Sequence, residues 1–411
     1  MVVFVRVIII GLSMQFLTAC YVINILKLRN ANDDVKPIWQ SKSHEMPIKT
    51  DYIGEKVFIY GSVNGIDGFK FMVDTGASFT YLFDTPKVKS LKLPQGYELN
   101  LTGWGDEQAS LGHQTTMTSL KFGEMQVNNF QGAYLQVSKT PYFIDAQELI
   151  YDGVIGHDLL RHFVWTFDKK ANQVTVANQA HKATKNSQAL PFDTFMSKIS
   201  INGHIRFNAE HNIEHEFIID TGSRHYFKLS SAYPEENHVS LPTAQVTAAD
   251  FGLSGKAEHQ RVTLPSIQLG EITLNNIKTN IIKSDDEDDY WVIGNAALNQ
   301  FITTIDYQTD MLYLRPYEDH QFQSRYNLMG LEVRKLLSGN FIVRFVMPNL
   351  PAFKAGINVG DVISQVNGIE AKHISKDAWL TMSSTPENYD ICLLFSACKK
   401  ITTQEIKGYS D

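Results

Sequence analysis

Two aspartates stand at corresponding ends of apolar runs: Phe69 to Val73 leads into Asp74-Thr75-Gly76, and Phe217 to Ile219 leads into Asp220-Thr221-Gly222. Such runs read as buried strands, so each carboxylate is delivered to a place where a lone negative charge is costly. A second carboxylate facing the first removes that difficulty, because the pair can hold one proton and carry one charge between them. A pair of this kind can do acid–base chemistry at a carbonyl. The ionised member takes a proton from water while the protonated member hydrogen-bonds the carbonyl oxygen. This chemistry calls for no cofactor and no metal, and none is expected.

The elements that must position the two aspartates occur twice in the chain. Val57-Phe58-Ile59-Tyr60, turn residues Asn64 to Gly68 and the Phe69 to Val73 run form a predicted hairpin ending on Asp74. Lys198 to Ile201, Asn202-Gly203 and Glu216 to Ile219 form its counterpart ending on Asp220. The parallel continues beyond the triplets. Lys121-Phe122-Gly123-Glu124 answers Gln268-Leu269-Gly270-Glu271, and Val154-Ile155-Gly156 answers Val292-Ile293-Gly294. Asp168 and Asp306 then follow their glycines at the same separation. Landmarks in one order and at matched spacing imply an internal duplication, hence two homologous β lobes related by a pseudo-twofold in a single chain. The first copy is the longer, with its extra length near Pro141 to Tyr151.

Bulk properties narrow the function classes. A chain of 411 residues exceeds one ordinary core. A net charge of -7 gives no electrostatic footprint for nucleic acid and no polybasic surface for anionic lipid. The apolar stretch Val2 to Ala19 ends in Leu17-Thr18-Ala19-Cys20, which resembles a bacterial lipoprotein signal with Cys20 as the lipidated residue. The competing expectation is an uncleaved transmembrane helix continuing through Tyr21 to Leu26. Cys392 and Cys398, held on one continuous strand, would lie about 20 Å apart, so two free thiols are expected. His211-Asn212-Ile213-Glu214-His215 matches a zinc pattern that works only on a helix. Here it precedes a strand, and no metal site is assigned.

After Arg315-Pro316 the β repeat stops. Gly330-Leu331-Glu332-Val333, Pro351-Ala352, Ala355-Gly356, Gly360-Asp361 and Asn367-Gly368 follow. This series resembles a PDZ domain, and the paired triplets resemble the aspartic proteases of the retropepsin and pepsin group. Together, over residues 51–411, the chain resembles the bacterial aspartyl protease family with a C-terminal PDZ domain. The resemblance implies a mainly β fold of two acid-protease-like lobes followed by a PDZ domain. It divides the chain into a signal peptide (1–19), a tether (20–50), lobe one (51–180), an inter-lobe linker (181–195), lobe two (196–318) and the PDZ domain (319–411).

The implied activity is an aspartic endopeptidase with Asp74 and Asp220 as its catalytic pair, acting on peptide or unfolded-protein substrates. The alternative is a silent peptide-binding adaptor that keeps the cleft. By resemblance, Thr75 and Thr221 cross-link the catalytic loops, while Gly76 and Gly222 allow close backbone approach. At the next position the copies differ, Ala77 against Ser223. A hydrogen bond from the Ser223 hydroxyl to Asp220 would make Asp220 the more acidic member and Asp74 the more often protonated one. Flap candidates are Gly103-Trp104-Gly105 in lobe one and Phe251-Gly252 in lobe two. Leu328-Met329-Gly330-Leu331 is the expected PDZ loop for a peptide, including a terminal carboxylate. The implied location is the bacterial envelope, facing the periplasm on a lipid anchor, with the outer membrane favoured.

Overall fold

The computed structural model describes residues 21–106, 110–137, 146–318 and 320–410. The expected signal segment and the lipidation site Cys20 lie outside them. Among the described residues no helix is long and apolar enough to cross a membrane.

Both hairpins form, but Asn202-Gly203, expected as the lobe-two turn, lies inside a strand, and that turn spans residues 207–211. In lobe one, strand Lys56–Val63 pairs antiparallel with Ile66–Val73, and Asn64 and Gly65 take the left-handed backbone that the two-residue turn demands. In lobe two, Lys198–Arg206 pairs with Asn212–Asp220. These hairpins belong to a nine-stranded and an eight-stranded sheet respectively. In both, a short strand containing the later glycine repeat slots in parallel beside the triplet strand: Gly153–Ile155 along Ile66–Val73, and Val292–Gly294 along Asn212–Asp220. All six residues of the two short strands are buried.

A six-stranded sheet joins the lobes from beneath. At its centre Val164–Asp168 pairs antiparallel with Phe301–Asp306, placing Thr166 opposite Thr304, and their hydroxyls lie 2.9 Å apart. Each threonine is the other's counterpart in the repeat, so the pseudo-twofold passes between them. One apolar core runs through both lobes, from Phe71 and Trp165 to Phe217 and Trp291. His215 stacks on Trp291 at 3.7 Å between centroids, on a strand rather than on the helix that its zinc-like pattern would need.

Three further expectations require correction. Residues assigned to a tether are folded onto the lobes. Residues 21–30 are helical with Leu28 fully buried, Asn32 is buried and bonded to Asp158, and Glu45–Ile48 forms an outer strand of the joining sheet. The polar composition of this stretch reflects strands with one face open to solvent rather than a free chain. The linker range likewise holds two strands, Gln188–Pro191 and Asp193–Phe195, which pair with Met311–Pro316 and Lys198–Arg206. Finally, Cys392 and Cys398 form a disulfide with an S–S distance of 2.01 Å. The chain reverses between strands Asn388–Leu393 and Lys399–Thr402, so the two cysteines face one another across a hairpin.

The third unit has its own six-stranded sheet and its own core around Phe341 and Trp379. A smaller apolar cluster welds it to lobe two, combining Val246, Ala248 and Ala249 with Phe345, Met347 and Tyr409.

Candidate functional site

The triplets meet at the lobe interface. Thr75 donates its hydroxyl to the Ile219 carbonyl at 2.6 Å, and its oxygen accepts the Thr221 amide at 3.0 Å. Thr221 reciprocates, donating to the Val73 carbonyl at 3.0 Å and accepting the Thr75 amide at 3.1 Å. Both threonines are almost wholly buried, so these four bonds lock the loops with no competition from water. The parallel strands brace them from behind, with the Asp74 amide bonded to the Ile155 carbonyl at 3.0 Å.

This grip brings the carboxylates together. A Cβ on Gly76 would stand 2.8 Å from Cγ of Asp220, and one on Gly222 would stand 2.2 Å from Cγ of Asp74. Each carboxylate therefore packs against the glycine of the opposite triplet, and any larger residue would push the pair apart. Burial and the facing charge of Asp220 push the Asp74 pKa up to about 7, so the pair holds its proton through the acid range and begins to lose it near neutral pH.

The asymmetry has a different cause from the one expected. Ser223 Oγ is buried and makes no hydrogen bond. Instead Asp220 Oδ1 accepts two backbone amides, from Gly222 at 2.9 Å and Ser223 at 3.0 Å, whereas Asp74 accepts one, from Gly76 at 2.8 Å. Asp220 thus has one more backbone donor than Asp74, and the expected bond from the Ser223 hydroxyl is not formed.

The two flap candidates meet at their tips. Gly103 N donates to Ser254 Oγ, Ser254 N donates to the Trp104 carbonyl and Asp106 N donates to the Lys256 carbonyl, each at 3.0 Å. Gly252 lies so close to Trp104 that a Cβ there would come within 2.3 Å of the Trp104 carbonyl oxygen. The two hairpins thus form a single bridge. Phe251 sits on it under the guanidinium of Arg344, 3.6 Å from ring centroid to Cζ.

Several charged residues near the pair escaped the sequence reading. Continuing the register of each hairpin two steps places Lys56 across from Asp74 and Lys198 across from Asp220. Only the hairpin register reveals this matched pair, because the lobe-two turn lies at residues 207–211 rather than at Asn202-Gly203. Lys228, only 5% exposed, lies with Nζ 3.7 Å from the centroid of the Trp104 ring. Burial brings the Lys56 pKa down to about 8 against the opposing pull of Asp74.

Arg224, which follows the second triplet closely, leads into a buried charge network. It bonds Glu332 of the third unit at 2.8 Å. Glu332 also takes Arg261 at 3.3 Å, and Arg261 reaches Asp250 of the bridging hairpin at 3.0 Å. Burial would raise the Glu332 pKa, but Arg224 and Arg261 overcome it and hold the group near about 2. The third unit is thereby tied to both the second triplet loop and a bridging hairpin. Its Leu328 and Met329 amides donate to the Ser383 carbonyl, and its Gly330 amide donates to Asn327 Oδ1. Leu331 is committed to the strand pair with Val346. These amides are occupied within the domain, so the expected carboxylate loop has no vacant donors at Leu328, Met329 or Gly330.

A bilobed β fold with two facing Asp-Thr-Gly loops defines the aspartyl protease class of architecture. Comparison with family models agrees: residues 59–159 match an aspartyl protease and residues 321–394 match a PDZ domain. The chain therefore carries an aspartyl protease domain and a PDZ domain, the latter a peptide-binding module. The first match includes Asp74 and ends before lobe two, so Asp220 is related to it by the repeated geometry. No curated protein matches the chain.

Proposed function

We propose that this chain is an aspartic endopeptidase that hydrolyses peptide bonds with water activated by Asp74 and Asp220. The observation that carries this reading is the reciprocal threonine grip, which sets each carboxylate against the opposite glycine. Binding alone has no use for a proton-sharing pair. In the proposed cycle the ionised Asp220, stabilised by two amides, takes a proton from the attacking water. Protonated Asp74 hydrogen-bonds the scissile carbonyl and stabilises the tetrahedral oxyanion. As the C–N bond breaks, Asp220 gives the water-derived proton to the leaving nitrogen, and the diol that Asp74 completed by protonating the oxyanion collapses and returns a proton to Asp74. The joined tips at Trp104 and Ser254 cover the cleft and exclude competing water.

The PDZ domain serves peptide recognition or presentation, and its bridge through Glu332 couples it to the cleft. The proposed location is the bacterial envelope, with the chain anchored by lipid at Cys20 and facing the periplasm. The Cys392–Cys398 disulfide supports an oxidising compartment. The test is digestion of a mixed peptide library by the wild type and by Asp74→Asn at mildly acid and neutral pH. Cleavage by the wild type alone is expected; equal cleavage by both, or none by either, removes the peptidase reading.

A further inference from the structure

The geometry points to a carboxylate-binding subsite on the lobe-two side of the dyad, formed by Lys56 and Lys228 beside Trp104, so that the favoured peptide carries an acidic group next to the cut bond. This rests on the peptidase reading above.

The argument begins with charge. Lys56 opens the strand that faces Asp74, and Lys228 follows the second catalytic loop on strand Phe227–Ser230. Both ammonium groups lie in the field of both aspartates. Neither forms a salt bridge or hydrogen bond among the described residues, and the nearby acids are committed elsewhere. Glu55, adjacent to Lys56, takes Lys169 at 2.7 Å, Asn299 at 2.9 Å and Arg325. Asp250 takes His225 at 2.7 Å and Arg261 at 3.0 Å. Buried Lys228 and half-buried Lys56 thus face one shared negative charge on the dyad, and an unpaired buried cation such as Lys228 is costly. A ligand carboxylate supplies the missing partner. Trp104 Nε1 is a further buried donor without a partner, and the Trp104 ring holds the Lys228 ammonium in place by cation–π attraction.

The other side of the dyad is built differently. Tyr81 is the lobe-one counterpart of Lys228, because it pairs with Val154 as Lys228 pairs with Val292. It packs edge-on against Phe83, which in turn meets Tyr151. An aromatic wall on one side and ammonium groups on the other specify a substrate with an apolar residue on one flank of the cut and a carboxylate on the other.

The experiment uses peptides blocked at both ends and identical except for Glu or Gln at each position flanking the cut. The wild type is expected to favour Glu on one flank by about tenfold or more in kcat/KM, the scale of a charge-assisted hydrogen bond. Lys228→Met should erase that preference, lowering kcat/KM on the Glu peptide about tenfold more than on the Gln peptide. Lys228→Arg should retain it, and Lys228→Glu should turn it toward Lys. Lys56→Met should weaken it. Indifference of the wild type to Glu against Gln overturns the proposal. So does an equal loss on both peptides in Lys228→Met, which would assign the lysine to the dyad instead. The same peptides with a free C terminus form a further arm; cleavage confined to them would identify the chain end as the bound group and overturn the acidic side chain.

Binding of the same peptides to Asp74→Asn, read by fluorescence anisotropy, separates the two readings. Glu-selective binding beside a wild type that cuts nothing keeps the subsite and removes the peptidase. Cleavage without Glu selectivity does the reverse.

Discussion

Replacing Thr75 with Val keeps the shape of the side chain and removes one hydroxyl. That hydroxyl donates to the Ile219 carbonyl and accepts from the Thr221 amide. Both partners are left buried without a replacement, at a cost of about 1–3 kcal/mol each, or about 2–6 kcal/mol together. The loss falls on the lobe interface, because both orphaned groups belong to lobe two. Urea unfolding followed by tryptophan fluorescence should show the protease-lobe transition at lower denaturant. Thr75→Ser, which restores the hydroxyl, should recover most of the difference. Peptide cleavage should fall more steeply than stability, since a shift of about 1 Å in a reacting group costs on the order of a hundredfold in rate. A Thr75→Val protein as stable as the wild type, with unchanged cleavage, would refute the grip as the element that sets the dyad.

Further outcomes follow from the same geometry. Ser223→Ala should leave the pH–rate profile unmoved, because the hydroxyl makes no bond and the amide that reaches Asp220 survives the change; a shifted profile would restore the hydroxyl to the mechanism. Asp74 has its pKa raised from 3.8 to about 7 by burial and Asp220, so its contribution to stability is full below pH 3.8 and is lost as the pH rises toward 7. Asp74→Asn should flatten that part of the stability curve measured from pH 4 to 7. Activity should fall as the pH passes about 7, when the last shared proton leaves. Glu332→Gln should lower stability by about 1–3 kcal/mol in denaturant unfolding, because Arg224 and Arg261 lose one of the two carboxylates that they share and keep Asp250.

What was legible in the sequence follows the physics of repetition. The triplets, the later glycines and Asp168 with Asp306 recur in order, and the structure pairs their strands about a twofold passing between Thr166 and Thr304. Gly103-Trp104-Gly105 was identifiable as a flap candidate from its place in lobe one after the first triplet. Its contact with Ser254 was not, since it depends on a second hairpin 150 residues away in sequence folding to the same height. The cysteines were misjudged because strand distance was applied across a reversal. The 20–50 segment was misjudged because edge strands and a half-buried helix carry enough polar residues to look like solvated chain. The lysines flanking the dyad were hidden for another reason: a cation opposite a triplet aspartate becomes visible only once the hairpin register is known.

The central claim is that Asp74 and Asp220 act as one unit around a shared proton. The direct measurement is kcat/KM on a single cleaved peptide for the wild type, Asp74→Asn, Asp220→Asn and the double variant. Groups acting as a unit are strongly non-additive, so each single variant is predicted to lose as much activity as the double. Substantial cleavage remaining in either single variant, or losses that simply multiply in the double, would contradict it.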